Sequence, residues 1–245
     1  MGITKLRIHI APVGFEVDRI VLPAIEMKAD KIWLLIHQDP NDDRAKKYED
    51  SIKTEFKKAK IKIETIKSNR KDIFKILQTV KHIIQTEGEN DIYINVSSGS
   101  KIQAIACMMA CMMFNENENL IPYYAEPASY PIYDEKQQSL GLKNIIELPQ
   151  YQIQIPKTEL IQALKIIKNK NNKITKKEMA KLADEQKLIN VNAKEENFEQ
   201  VRFSSLDKNI IQPLEQWGFI KIEKIGRIRW VHLTDDGKNA IEFLE

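Results

Sequence analysis

Five short runs of apolar and β-branched residues alternate with amphipathic helical patterns through the first half of the chain. No other feature limits the fold as strongly. The strand candidates are Leu6–Ala11, Lys31–His37, Ile61–Ile66, Ile92–Val96 and Leu120–Ala125, and helical spacing covers about 16–29, 43–59, 70–86 and 101–114. Strands and helices in strict alternation predict an α/β domain with a mostly parallel sheet, right-handed crossovers and helices on both faces. Pro23 falls inside the first helical pattern, so that helix starts late or is kinked. Asp39-Pro40-Asn41-Asp42-Asp43 reads as a turn with Asp42 or Asp43 as N-cap, and a carboxylate metal cluster is the sharper alternative for the same residues. Beyond the fifth strand a hairpin is expected, Pro131–Asp134 with Asn144–Leu148, adding an antiparallel edge to the sheet. Tyr151–Pro156 then alternates like an extended linker.

Within this pattern, Asp91-Ile92-Tyr93-Ile94-Asn95-Val96-Ser97-Ser98-Gly99-Ser100-Lys101 leads straight into the apolar run Ile102–Phe114. A strand, small hydroxyl residues around a glycine, then a helix is an arrangement in which backbone N–H groups converge on an anion. Lys101 adds a positive charge, and Asn95 and Gln103 could hydrogen-bond a base or ribose. The first strand ends in its own glycine turn, Pro12-Val13-Gly14-Phe15, and the two loops are expected to face each other across one crevice at the carboxyl ends of the strands. The spacing is not that of a nucleoside triphosphatase loop, and Gly14 does not open a Gly-x-Gly-x-x-Gly fingerprint. Binding is therefore favoured over phosphoryl transfer, with a plain serine-capped turn as the alternative. The helix at 101–114 is apolar on every side, more than one sheet face requires, so a second protomer is expected to cover its outer side, with the strand hairpin as the alternative.

From Lys157 the pattern changes. Helical spacing at Leu160, Ile161, Leu164 and Ile167 is followed by an Asn171-Asn172-Lys173 turn, a capping box at Thr175 and Glu178, and a polar loop at 190–199. A third helix is expected to begin at Phe203 and stop at Trp217-Gly218, bent or shortened by Pro213. Two strands around Lys224-Ile225-Gly226-Arg227 and a last helix complete a winged helix-turn-helix at 157–245, with the sheet domain at 1–150. On the third helix Ser204, Ser205, Lys208, Asn209 and Gln212 form the exposed side, and Lys224, Arg227 and Arg229 decorate the wing. Such residues suit base edges and phosphates of double-stranded DNA. A charged face on a protein-interaction module is the alternative.

Charge agrees with this division: residues 151–245 carry 17 Lys+Arg against 14 Asp+Glu, whereas residues 1–150 balance at 21 each. With 42% apolar and 30% charged residues, the composition excludes a disordered or fibrous chain. No apolar run is long enough to span a bilayer and no secretory signal opens the sequence, so a cytoplasmic protein without a membrane partner is expected, and the Asn95-Val96-Ser97 sequon reads as accidental. Cys107 and Cys111 share one helix face and read as buried free thiols rather than a zinc site. His9, His37, His82 and His232 have no partner at catalytic spacing and read as structural; Tyr123, Tyr124 and Tyr130 read as half-buried core, with base stacking as the alternative.

Asn95–Lys101 after the fourth strand and Val13-Gly14-Phe15-Glu16-Val17-Asp18-Arg19 after the first resemble the motifs of CARF (CRISPR-associated Rossmann fold) domains, and with the C-terminal winged helix the whole chain resembles the CARF winged-helix transcriptional regulators. The resemblance implies a Rossmann-like domain that dimerises and senses a cyclic oligoadenylate or related nucleotide, with no other cofactor. It places Val13, Gly14, Phe15, Arg19, Asn95, Ser97, Ser98, Gly99, Ser100, Lys101 and Gln103 at the ligand. A ring nuclease that cleaves such a ligand is the alternative, in which Ser97–Lys101 would stabilise the scissile phosphate.

Overall fold

The computed structural model describes residues 4–39, 43–115, 119–131 and 138–244. The chain divides into two compact units, residues 1–154 and 155–245. In the first, β1 (Arg7–Pro12), β2 (Lys31–His37), β3 (Lys62–Ser68), β4 (Asp91–Asn95), β5 (Leu120–Glu126) and β6 (Asn144–Glu147) form one sheet in the order β3-β2-β1-β4-β5-β6. The first five strands run parallel and β6 lies antiparallel to β5. α1 (Asp18–Glu26) and α2 (Lys46–Lys58) pack together, as do α3 (Ile73–Glu87) and α4 (Lys101–Phe114). Right-handed crossovers put the two pairs on opposite faces. Both faces are thus covered, which is why β1 and β2 read as continuous apolar runs. One core layer joins Ala11, Ile32 and Leu34 of the sheet to Ile20 and Ala24 of α1 and Ile52 and Phe56 of α2.

Local chemistry sets the helix ends. Asp72 accepts from Phe74 N (3.0 Å) and Lys75 N (3.2 Å), so α3 begins after it rather than at residue 70. α2 starts at Lys46, not 43: Asp43 holds the preceding turn through Ala45 N (3.0 Å) and ion-pairs with Arg70 (2.6 Å). Asp42 lies outside the described residues. Pro23 sits inside α1, which starts later than expected. It has no N–H for the Arg19 carbonyl one turn back, and the Asn95 side-chain amide donates to that carbonyl instead, at 2.7 Å. The expected antiparallel edge is present, as Asn144–Glu147 pairs with β5, Tyr124 opposite Ile146; Ile132–Asp134, in the other half of the expected hairpin, lie outside the described residues, and an isolated bridge joins Ser129 to Leu140.

The second unit opens with α5 (Thr158–Asn169), β7 (Lys173–Thr175) and α6 (Lys176–Glu185). β7 is absent from the sequence reading; its three residues become a strand by pairing with β9, Ile174 opposite Val231. Thr175 caps α6 by accepting from Glu178 N (3.2 Å), as expected, but the Glu178 carboxylate turns to Lys170 (2.7 Å). α7 (Phe198–Leu206) starts five residues before Phe203, continues through a π-helical turn (Asp207–Ile211), where Gln212 N bonds Asp207 O, and ends as α8 (Gln212–Gln216). The widened turn stops at Pro213, which has no N–H to continue a regular ladder. β8 (Ile220–Ile225) and β9 (Ile228–Leu233) form the wing around a two-residue tip in which Gly226 takes φ +62°, and α9 (Asp235–Leu244) closes the unit.

Candidate functional site

The carboxyl ends of β1 and β4 lie side by side, because Ile10 pairs with Ile94. A ligand crevice in an open parallel sheet belongs at this end. The loops that follow do not stand apart across a gap, however. A Cβ on Gly14 would lie 2.8 Å from Gly99 N, and one on Gly99 would lie 2.5 Å from Pro12 Cβ. Gly99 also takes φ +78°. The two backbones therefore touch, and they do so only because both positions are glycine.

Most polar side chains of the loop serve the loop itself. Asn95, expected to face a base or ribose, is fully buried and, besides bonding Arg19 O, accepts from Ser97 N (2.8 Å), so both ends of its amide are engaged within the protein. Ser97 Oγ accepts from Ala125 N, and the buried Ser98 hydroxyl donates to Pro12 O (2.8 Å). Ser100 caps α4 by accepting from Gln103 N (3.2 Å), while Gln103 Oε1 accepts from Ser100 N (2.9 Å). Gln103, also expected at the ligand, is 2% exposed and completes this capping box. What remains for an anion is the exposed Lys101 and the Lys101 and Ile102 amides, which in the first turn of a helix have no carbonyl behind them.

The remaining candidates surround this core. Val13 is buried and its N–H donates to Leu35 O (3.0 Å), and Phe15 tilts against Tyr48 with ring centroids 5.7 Å apart. Arg19 is 6% exposed. Its Nε donates to Ala125 O (2.8 Å), Nη1 lies 3.2 Å from Glu16 Oε2, and the guanidinium sits 4.7 Å over the Tyr124 ring, while Nη2 has no partner among the described residues. Tyr123 is fully buried, whereas Tyr130 is 63% exposed and its hydroxyl pKa is raised by a hydrogen bond with Tyr124. Sequence reasoning missed Arg70, whose carbonyl accepts from Ser100 Oγ (3.5 Å) and whose Nε lacks a partner among the described residues. Its signal was the basic Arg70-Lys71 pair at the carboxyl end of β3, which a helix beginning at residue 70 concealed.

Under the sheet, His9 is fully buried, with Nδ1 3.1 Å from Tyr123 Oη and the ring stacked on Tyr93 at 5.0 Å. Burial, with a smaller contribution from Arg7, lowers its pKa to about 3, so the ring is neutral. Cys107 and Cys111 are free and buried; burial pushes the Cys107 thiol up to about 12. Among the described residues no three His, Cys, Asp or Glu side chains are grouped to hold a metal, and no helix is long and apolar enough to cross a membrane.

In the second unit Ser204, Lys208, Asn209 and Gln212 are exposed on α7, the π turn and α8, and Lys224, Arg227 and Arg229 are exposed on the wing. Ser205 differs: its hydroxyl donates to Asn190 O (3.1 Å) and accepts from Asn209 Nδ2 (3.1 Å), fastening the loop before α7 to the helix.

Sheet order and wing together define a class: a Rossmann-like α/β domain followed by a winged helix domain. Residues 7–130 match the family described as HFX_2341_N:-like, N-terminal, and the chain belongs to that family; residues 159–245 match the DUF6293 C-terminal winged helix domain. The uncharacterized protein MJ1513 of Methanocaldococcus jannaschii is 31% identical over 205 residues, which are 73% of this chain and 61% of that protein. The chain thus spans less than two thirds of this relative's length. Similar solved structures are Can2 from Sulfobacillus thermosulfidooxidans in complex with cyclic tetra-adenylate (13% identity, TM-score 0.41, covering 97% of this chain and 63% of that one) and Enterococcus italicus Csm6 bound to cyclic hexa-2'-fluoro-hexa-dAMP (12%, 0.42, 88% and 57%).

Proposed function

We propose that the protein is a dimeric, ligand-responsive DNA-binding regulator. The N-terminal domain senses a cyclic oligoadenylate or related nucleotide, and the winged helix binds double-stranded DNA. The observation that carries the reading is the Gly14–Gly99 contact. It holds the loops after β1 and β4 as one rigid surface at the carboxyl ends of the strands, with the first turn of α4 and Lys101 presented to an anion. A second copy suits α4, where Ile102 and Ile105 are 41% and 54% exposed on the side away from buried Cys107 and Cys111. A ligand shifts DNA affinity only by as much as it discriminates between two arrangements of such a dimer.

The test is calorimetric titration with cyclic tri-, tetra- and hexa-adenylate, with chromatography of the same samples. Binding without linear product is the expected outcome. Turnover abolished by Lys101→Ala replaces the sensor by a ring nuclease, and absence of binding removes both. A monomer by light scattering at micromolar concentration breaks the dimeric arrangement.

A further inference from the structure

The winged helix domain holds a groove of about 570 Å3 between the first turn of α6, the wing and the helix of α7, the π turn and α8, the recognition segment of the DNA-binding reading. Four of its lining residues are cations, Lys176, Lys177, Arg227 and Arg229, and one is an anion, Asp207. Phe203 adds an apolar wall. Lys176 is mostly buried, 12% exposed at the side chain, and it is not free: its Nζ lies 2.5 Å from one Asp207 oxygen and 2.6 Å from the other. Asp207 thus occupies a cationic groove much as an anionic guest would, with two oxygens on one ammonium. A phosphodiester offers two similar oxygens. The residue also opens the π turn, and Phe203 and Asp207 lie one residue, about 100° of helix, from the exposed ridge of Ser204, Lys208 and Gln212. A strand backbone in the groove therefore runs beside side chains placed to meet base edges.

The geometry points to this groove as the seat of one phosphodiester strand, with Lys176 and Lys177 as further phosphate contacts and Asp207 as an internal competitor that the phosphate displaces from Lys176. The inference rests on the DNA-binding reading and adds to it a damping device: the recognition segment carries a carboxylate that weakens non-specific attachment. The pair is half-buried, with the Lys176 and Asp207 side chains 12% and 35% exposed, and a phosphate would replace contacts of similar strength, so the exchange is reversible and its effect modest.

The test is fluorescence anisotropy of a labelled random-sequence duplex against the full chain over a series of salt concentrations. Asp207→Asn keeps the shape and removes the charge. It is expected to bind about two- to five-fold tighter and to steepen the logarithmic salt slope by about 0.9, because Lys176 becomes able to neutralise a phosphate. Lys177→Ala is expected to flatten the slope by about 0.9. An Asp207→Asn chain that melts like the parent but binds no tighter overturns the competitor, and an unchanged slope in Lys177→Ala overturns the groove. If Lys208→Ala alone flattens the slope, the domain binds DNA elsewhere and only this inference falls; a parent chain that binds no duplex at low salt removes the DNA-binding reading as well.

Discussion

Asn95, Ser98, Ser100 and Gln103 give their polar atoms to the protein itself, whereas Lys208, Gln212, Arg227 and Arg229 stand in solvent. Both sets look alike in the sequence, as polar residues able to meet a ligand. The structure separates them by burial: the loop after β4 is a scaffold that exposes mainly backbone and one lysine, and the winged helix exposes side chains. The contrast has an energetic consequence. Substitutions in the loop should act on stability first and on binding through it, while substitutions on the wing and recognition segment should act on binding alone.

The largest effect belongs to Gly99→Ala. The new methyl meets Pro12 Cβ at 2.5 Å and forces a non-glycine residue to φ +78°. Left-handed strain and overpacking together cost about 2–5 kcal/mol. Urea unfolding of the full chain, followed by a probe of the first unit, should show a lower midpoint at an unchanged slope. Ligand affinity lost at unchanged stability would break the comparison, since Gly99 would then be a contact rather than a support.

An intermediate effect comes from pH. His9 is held neutral with a pKa of about 3 against an ordinary 6.5. Above pH 6.5 both folded and unfolded chains leave the ring uncharged and nothing is lost. As pH falls below 6.5 the unfolded chain takes up a proton that the folded one refuses, and stability declines until about pH 3. The loss reaches about 2 kcal/mol at pH 5. His9→Gln, which keeps a hydrogen-bonding group beside Tyr123, should remove that much of the acid limb in unfolding curves measured at pH 8 and pH 5. An unaltered limb would place the acid sensitivity in other groups and detach His9 from the rigid support beneath the loop.

Where the signal was local, the sequence already carried the structure. Lys31–His37 and Lys101–Phe114 were readable to the residue, the one from an uninterrupted apolar run and the other from a cap three residues before Gln103. Features that depend on distant partners were not. β7 is a strand only because β9 returns to it, and β6 pairs with β5 across an intervening loop. The polar stretch before Phe203 has no apolar period to announce α7. The roles of Asn95 and Gln103 also escaped, because spacing shows that an amide is near a phosphate-like loop but not that Arg19 O, left open by Pro23, has claimed it. The exposure of Lys224, Arg227 and Arg229 was legible, because side chains beside the tip of a two-stranded wing stand in solvent.

That last point leads to the smallest expected effect on stability and the cleanest on binding. The combined Lys208→Ala, Arg227→Ala, Arg229→Ala variant removes three exposed cations, none of which supports a buried group. Its thermal midpoint should match the parent, because exposed substitutions of this kind stay within about 0.5 kcal/mol. Its DNA affinity should fall, with a logarithmic salt slope flatter by up to about 2.7 if each cation meets one phosphate. A slope change near one third of that would leave a single phosphate contact among the three and shift the recognition segment towards base edges. Unchanged affinity would remove the recognition-helix and wing assignment. A large drop in stability would show that these side chains, like those of the loop after β4, are part of the scaffold.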